Sequence, residues 1–149
     1  MKGRKRHIVV DVLGLVLGCY GRAANVADVK AAPAVLTWVL ELYEQMAKVL
    51  ADKGYQEALK ALISNTFDTE ERSVEVEISQ HPEGAKGFQL EPKRWIVERT
   101  WTWLDNARAL ARDYETLPEN HEGMIYVVMI RLMLRQLTNN RRTRNPRPA

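Results

Sequence analysis

The alternation of apolar and polar positions predicts short strands and helices first, then two long helices. Residues His7 to Leu13 and Leu15 to Ala23 are two β-rich runs separated by Gly14, and Ile8, Val9, Val10 and Val12 crowd the first with apolar side chains. That pattern reads as a hairpin whose first strand is covered on both faces. Asn25 to Ala32 reads as a turn and approach. Pro33 is then expected to open a helix reaching about Met46, with Val35, Trp38, Val39 and Leu42 on its inner side. Lys48 to Ala51 is a short apolar run halted by Asp52 and Gly54, as in a strand with an acid at its carboxyl end, and Gln56 to Ser64 follows as a helix. From Ser73 to Ser79, Val74, Val76 and Ile78 alternate with Glu75 and Glu77, the period of a strand with one wet face. His81 to Pro92, with Pro82, Gly84 and Gly87, reads as a loop. Helices are expected from Lys93 to Tyr114 and from Glu119 or His121 to Leu137, separated by Pro118. This order predicts an α/β layered domain.

With 149 residues, 46% of them hydrophobic, the chain can bury one core and is too short for two domains to be expected. No stretch of about 18 apolar residues occurs, which argues against a spanning helix and for a soluble, intracellular protein. Cys19 is the one cysteine, read as a small buried residue, and the 3 histidines are scattered without zinc-site spacing. Any bound metal must therefore be held by carboxylates. His7, His81 and His121 are read as surface or turn residues, and Met124, Met129 and Met133 as helical packing. The net charge of +3 is modest, but basic residues gather at both ends: Lys2, Arg4, Lys5 and Arg6, then Arg141, Arg142, Arg144 and Arg147. Such clusters are either solvated tails or the footprint of a protein that meets phosphate backbones.

Two acids stand out. Asp52 ends an apolar run, where open α/β sheets commonly carry ligands, although an acid before a glycine also caps turns. Glu98 lies away from the apolar arc of its helix, formed by Ile96, Val97, Trp103, Leu104, Ala107, Leu110 and Ala111. It follows Arg94 by one helical turn, which also fits a plain surface ion pair. Asp11 and Asp28 read as strand-end or turn acids, and Trp38, Trp101 and Trp103 as core aromatics.

The strings "GRKRHIVVDVLGLVLG", "LADKGY", "RWIVERTWTWL", "YETLPE" and "MIYVVMIRLMLRQL" occur in this order over nearly all of residues 2 to 137. Together they resemble the catalytic half of bacterial insertion-sequence transposases of the DDE type, family five, with the related family four close behind. The resemblance implies a ribonuclease H-like mixed sheet with flanking helices, lacking the first strand. It implies a partial catalytic domain over residues 1–137 and a basic, disordered tail over 138–149. In the family three acids bind two Mg²⁺ ions; by motif Asp52 takes the second position and Glu98 the third, both as catalytic metal ligands. Arg94, with Lys93, Arg99 and Trp95 beside it, is implied to meet DNA. The related family's fuller signature has a tyrosine and a lysine where this chain has Glu91 and Asp105, so those roles do not carry over. The first acid of relatives lies upstream of "KGRKRH".

The implied activity is DNA cleavage and strand transfer at insertion-element ends, in a truncated or split-frame C-terminal portion inactive alone. Its implied partners are element-end and target DNA, an upstream transposase fragment or a second copy, and no membrane, in a cytoplasmic, nucleoid-associated setting. A non-catalytic DNA-binding or transposase-interacting module stands as the alternative.

Overall fold

The computed structural model describes residues 4–25, 28–69, 72–79, 93–112 and 114–143, the side chains of 28–30 and 139–143 excepted. The chain divides into two compact units, Met1–Thr100 and Trp101–Ala149.

In the first unit, β1 (Arg4–Val10) and β2 (Val16–Ala23) form the expected antiparallel hairpin, with a register shift between Val9 and Val10. Gly14 sits in the connection at φ 82°, a left-handed conformation that explains why glycine separates the two runs. Asp11 holds the same turn closed: its Oδ1 accepts from the backbone N–H groups of Leu13 at 2.9 Å and Leu15 at 2.8 Å. This is the turn role expected of it.

Helix α1 (Asp28–Leu42) begins earlier and ends earlier than expected, and Pro33 lies inside it. Asp28 is thus the first residue of a helix and not a turn residue. One early backbone bond is forgone at Pro33, which two flanking rows of buried contacts offset. Ala31, Val35 and Val39 are buried along one row and Leu36 and Leu40 along the next. Trp38 and Leu42, expected inside, are 46% and 57% exposed, so the inner face of α1 is rotated from the predicted one. The first row faces β2, where a Cβ on Gly18 would collide with Val39 Cγ2 and crowd Val35 and Trp38. Leu36 and Leu40 join Leu59, Ile63, Phe67 and Val74 in an apolar core cluster.

Strand β3 (Lys48–Asp52), a 3₁₀ turn (Lys53–Tyr55), α2 (Gln56–Thr66) and β4 (Glu75–Ser79) form a β-α-β unit. The strands are parallel, with Asp52 opposite Ser79 at their carboxyl ends. Among the described residues the hairpin and this pair are two separate two-stranded sheets, not one continuous mixed sheet. Arg72 closes the carboxyl end of α1 by donating from Nη2 to the carbonyls of Leu40 at 3.0 Å and Tyr43 at 3.2 Å.

The single long helix expected from Lys93 to Tyr114 is broken into α3 (Arg94–Asp105) and α4 (Arg108–Ala111). Asn106 ends α3 by turning its Nδ2 back to the Thr102 carbonyl at 2.8 Å, a local bond of the kind that competes with helix continuation. In the second unit α5 (Pro118–Thr143) starts at the separating proline, which suits the first helical position, and extends past Leu137 into the segment expected to be a disordered tail. Residues 144–149 and the expected loop from His81 to Pro92 lie outside the described residues.

His121 is 3% exposed, contrary to the surface reading, because it shares a helical row with buried Ile125 and Met129. Met133, expected to pack inside, is 39% exposed. Cys19 is buried, as expected.

Candidate active site

Asp52 is placed by the end of β3. Its exposed carboxylate receives the Lys53 backbone N–H on Oδ1 at 2.7 Å and so caps the 3₁₀ turn that follows. Both sequence readings of Asp52 therefore coincide in one residue: it caps a turn, and it stands at the carboxyl edge of a parallel pair, where ligands of open α/β sheets bind.

Glu98 is placed by α3, one turn after Arg94, whose Nε lies 3.2 Å from Oε1. Both side chains are well exposed, at 66% and 51%, so the pair is a surface contact and leaves Glu98 open to solvent. Two contacts fix the beginning of this helix. Lys93, at φ 67°, bends the chain into the helix through a conformation costly for a residue with a Cβ. Its Nζ approaches Glu77 Oε2 on β4 at 3.9 Å. Glu77 is held more firmly by Lys48 of the neighbouring strand, at 2.7 Å, and Lys48 also reaches Glu75 at 3.2 Å. The hydrogen bond from Lys48, then its charge, holds Glu77 below the usual carboxylate range, with Lys93 adding to the effect. Reciprocally, the bonds to Glu77 and Glu75 raise the Lys48 ammonium above the usual lysine value.

A second attachment lies further along α3. Thr100, fully buried, donates its hydroxyl to the Gly14 carbonyl at 2.8 Å, with the Ile96 carbonyl at 3.0 Å as a competing acceptor. Arg99 Nη2 donates to the Leu13 carbonyl at 2.7 Å, and its guanidinium lies 4.5 Å from the centre of the Trp95 ring. The hairpin turn is thereby pinned to the helix that carries Glu98. Sequence reading missed Thr100, because a hydroxyl in an amphipathic helix carries no mark of a partner far away in the chain. Of the residues expected to meet DNA, Lys93, Arg94 and Arg99 each have a protein partner, while Trp95 is 46% exposed and stacks with Arg99.

Asp52 and Glu98 both belong to the first unit, linked through the Asp52 and Ser79 register of the parallel pair and the Glu77 and Lys93 contact at the head of α3. Their oxygens suit a hard divalent cation, which takes carboxylates, water and phosphate oxygens together. Among the described residues no group of three or more acid, histidine or cysteine side chains gathers in a way that could hold a metal ion.

A carboxylate at the end of a parallel strand and another on a helix of the same unit belong to a mixed α/β domain. The chain belongs to the transposase DDE domain family, whose model matches residues 1–133. It is 29% identical over 132 residues to a putative transposase for insertion sequence element IS402 from Burkholderia cepacia, a match covering 83% of this chain and 59% of that relative. The chain thus spans somewhat over half the length of the curated relative it matches. No solved structure matches it. The family uses divalent metal ions and acts on DNA. Among the described residues no helix is long and apolar enough to cross a membrane.

Proposed function

We propose that the chain contributes the Asp52 and Glu98 carboxylates to the active site of an insertion-sequence transposase with a ribonuclease H-like catalytic domain. DNA is its substrate and Mg²⁺ its metal. The observation that carries this reading is the position of Asp52 at the carboxyl end of β3, in a unit that also holds Glu98 and within the span matched by the family.

Bound divalent ions would supply a site for an activated water or 3′-hydroxyl and stabilise the leaving oxygen in phosphoryl transfer. The chain's own residues prepare for this in distinct ways. Asp52 keeps one oxygen oriented by the Lys53 N–H, so the carboxylate is held at the strand end and its other oxygen is presented outward. Glu98 is held by Arg94, whose guanidinium offsets its charge until a cation takes over that role. Thr100 and Arg99 keep the helix registered against the hairpin. The family's site takes three acids, and these two are the ones the motifs assign; with two alone, weak metal binding and little DNA cleavage are expected.

The test is calorimetric titration of Mn²⁺ into the purified chain, together with nicking of supercoiled plasmid in Mg²⁺. Weak Mn²⁺ binding that disappears in both Asp52→Asn and Glu98→Gln supports the assignment. Binding unchanged in the double variant overturns it, as does robust nicking that survives both substitutions. Salt-sensitive DNA binding with no metal response in any variant would instead favour the non-catalytic DNA-binding module.

A further inference from the structure

The second unit contains an open groove with a volume of about 640 Å³, between α4, the segment after it, and the first half of α5. Ala107, Met124 and Val127 give it apolar walls, Tyr114 an aromatic one, and Arg108 and Arg131 contribute charge. Its volume lies within the roughly 300–1,000 Å³ typical of sites for small organic groups. Among the described residues no acid lines it.

The two arginines differ from the basic residues of α3. Lys93, Arg94 and Arg99 are each engaged by an acid or a carbonyl of the chain itself. Among the described residues, no side-chain hydrogen bond or ion pair engages Arg108 or Arg131. Two guanidiniums facing one groove, with no acid beside them among its described lining residues, produce a positive field that a phosphodiester would complement, and guanidinium geometry suits phosphate oxygens. Tyr114 adds a second feature. Its ring is 68% exposed on the groove and offers a flat aromatic face on which a base can stack. A base in a duplex has both faces stacked and cannot do so, whereas a base of a single strand can.

We propose that this groove binds a segment of single-stranded DNA, with Arg108 and Arg131 holding consecutive backbone phosphates and Tyr114 stacking on an unpaired base. The choice of DNA rests on the reading given under Proposed function. The site itself rests on residues that take no part in the carboxylate chemistry, and it moves strand binding from α3, where the motif resemblance put it, to α4 and α5.

The experiment is fluorescence anisotropy of a fluorescein-labelled oligothymidylate with the full chain across a sodium chloride series, repeated with the equivalent duplex. Single strands lose about 0.7 of a logarithmic unit of salt slope per neutralised phosphate. The double variant Arg108→Gln/Arg131→Gln should therefore flatten the slope by about 1.4 while Arg108→Lys/Arg131→Lys retains it. Tyr114→Ala should weaken oligothymidylate binding by roughly fivefold or more at unchanged slope, the lower end of the effect of losing one base-aromatic stack. All these positions are exposed, and circular dichroism melts matching wild type are the check that the variants fold.

Wild-type affinity and slope in the arginine double variant would overturn the groove. If Arg94→Gln then abolished binding, the DNA reading would stand and the strand would be returned to α3. Equal loss of duplex and single-strand binding, with no effect of Tyr114→Ala, would overturn the single-strand assignment in favour of simple backbone tracking. Absence of DNA binding by the wild-type chain would overturn both this proposal and the reading beneath it, and would leave the apolar wall as a protein-docking surface.

Discussion

Replacing Thr100 by valine separates hydrogen bonding from shape, because the two side chains are nearly isosteric and the site is fully buried. The Thr100 hydroxyl has one proton and two carbonyls within reach, Gly14 at 2.8 Å and Ile96 at 3.0 Å. The Ile96 carbonyl is the acceptor that a threonine in any helix can find, so its loss is of little consequence. The Gly14 carbonyl is different: the glycine is buried, and Thr100 is the partner that the helix brings to it. Leaving a buried carbonyl without a partner costs about 1–3 kcal/mol. The added methyl returns up to about 0.8 kcal/mol, for a net loss of about 1–2 kcal/mol. For a chain of this size that corresponds to a fall in Tm of roughly 3–6 °C. Hydrogen exchange localises the effect, since the Leu13 and Leu15 amides, bonded to the Asp11 carboxylate, should exchange faster when the turn loosens. Thr100→Ser, which keeps the hydroxyl, should leave their exchange close to wild type. A valine variant that melts within about 1 °C of wild type, with those amides unchanged, would refute the claim that Thr100 anchors the hairpin to α3.

Gly18→Ala should destabilise by about 1–3 kcal/mol in urea denaturation, because the new methyl meets Val39, and adding Val39→Ala should recover part of the loss; additive losses would refute the close approach of β2 and α1. Arg72→Met should lower the urea midpoint by the equivalent of about 1–2 kcal/mol through loss of the bonds to the Leu40 and Tyr43 carbonyls, and an unchanged midpoint would show that solvent replaces the cap. The Lys48 and Glu77 pair sets a pH dependence of known sign. Because the folded carboxyl is lowered, the stability it contributes is present above about pH 4.3, the ordinary value, and is lost as pH falls through the lower folded value. The raised Lys48 value makes its contribution full below about pH 10.4 and lost as pH rises through it. The Tm difference between wild type and Glu77→Gln should therefore shrink toward zero in acid and be reduced by salt; a difference that grows in acid would reverse the assignment.

Features written in consecutive residues were legible in the sequence. Gly14 marked the hairpin turn because only its backbone freedom permits φ 82° there, and Asp52 marked the end of β3 because an apolar run stops at it. Pro118 marked the start of α5 for the equally local reason that it lacks an N–H to donate. What was not legible depends on partners remote in sequence. Thr100 and Arg99 bond to a turn 86 residues away, and nothing in their own helix distinguishes them from solvent-facing positions. The break at Asn106 is a competition between a side-chain amide and the next backbone bond, too small for hydrophobic periodicity to register. His121 differs in kind: its spacing from Ile125 and Met129 puts it on their buried row, whereas histidine as a residue type favours partial exposure.

These contacts divide the work on α3 between strong and weak interactions. The helix is placed by a buried hydroxyl, a bent entry at Lys93 and a guanidinium on a turn carbonyl, none of which involves the Glu98 carboxylate. At the surface the carboxylate pairs with Arg94, an exposed contact of the kind that contributes about 0.3–0.5 kcal/mol. A divalent cation with even modest affinity can displace such a pair without disturbing the helix, whereas a buried pair would have to be broken at several kcal/mol. On the proposed assignment, a weak Arg94 contact on a firmly placed helix is compatible with reversible metal binding by Glu98. The i, i+4 spacing of Arg94 and Glu98 is as compatible with a plain surface pair as with the proposed chemistry.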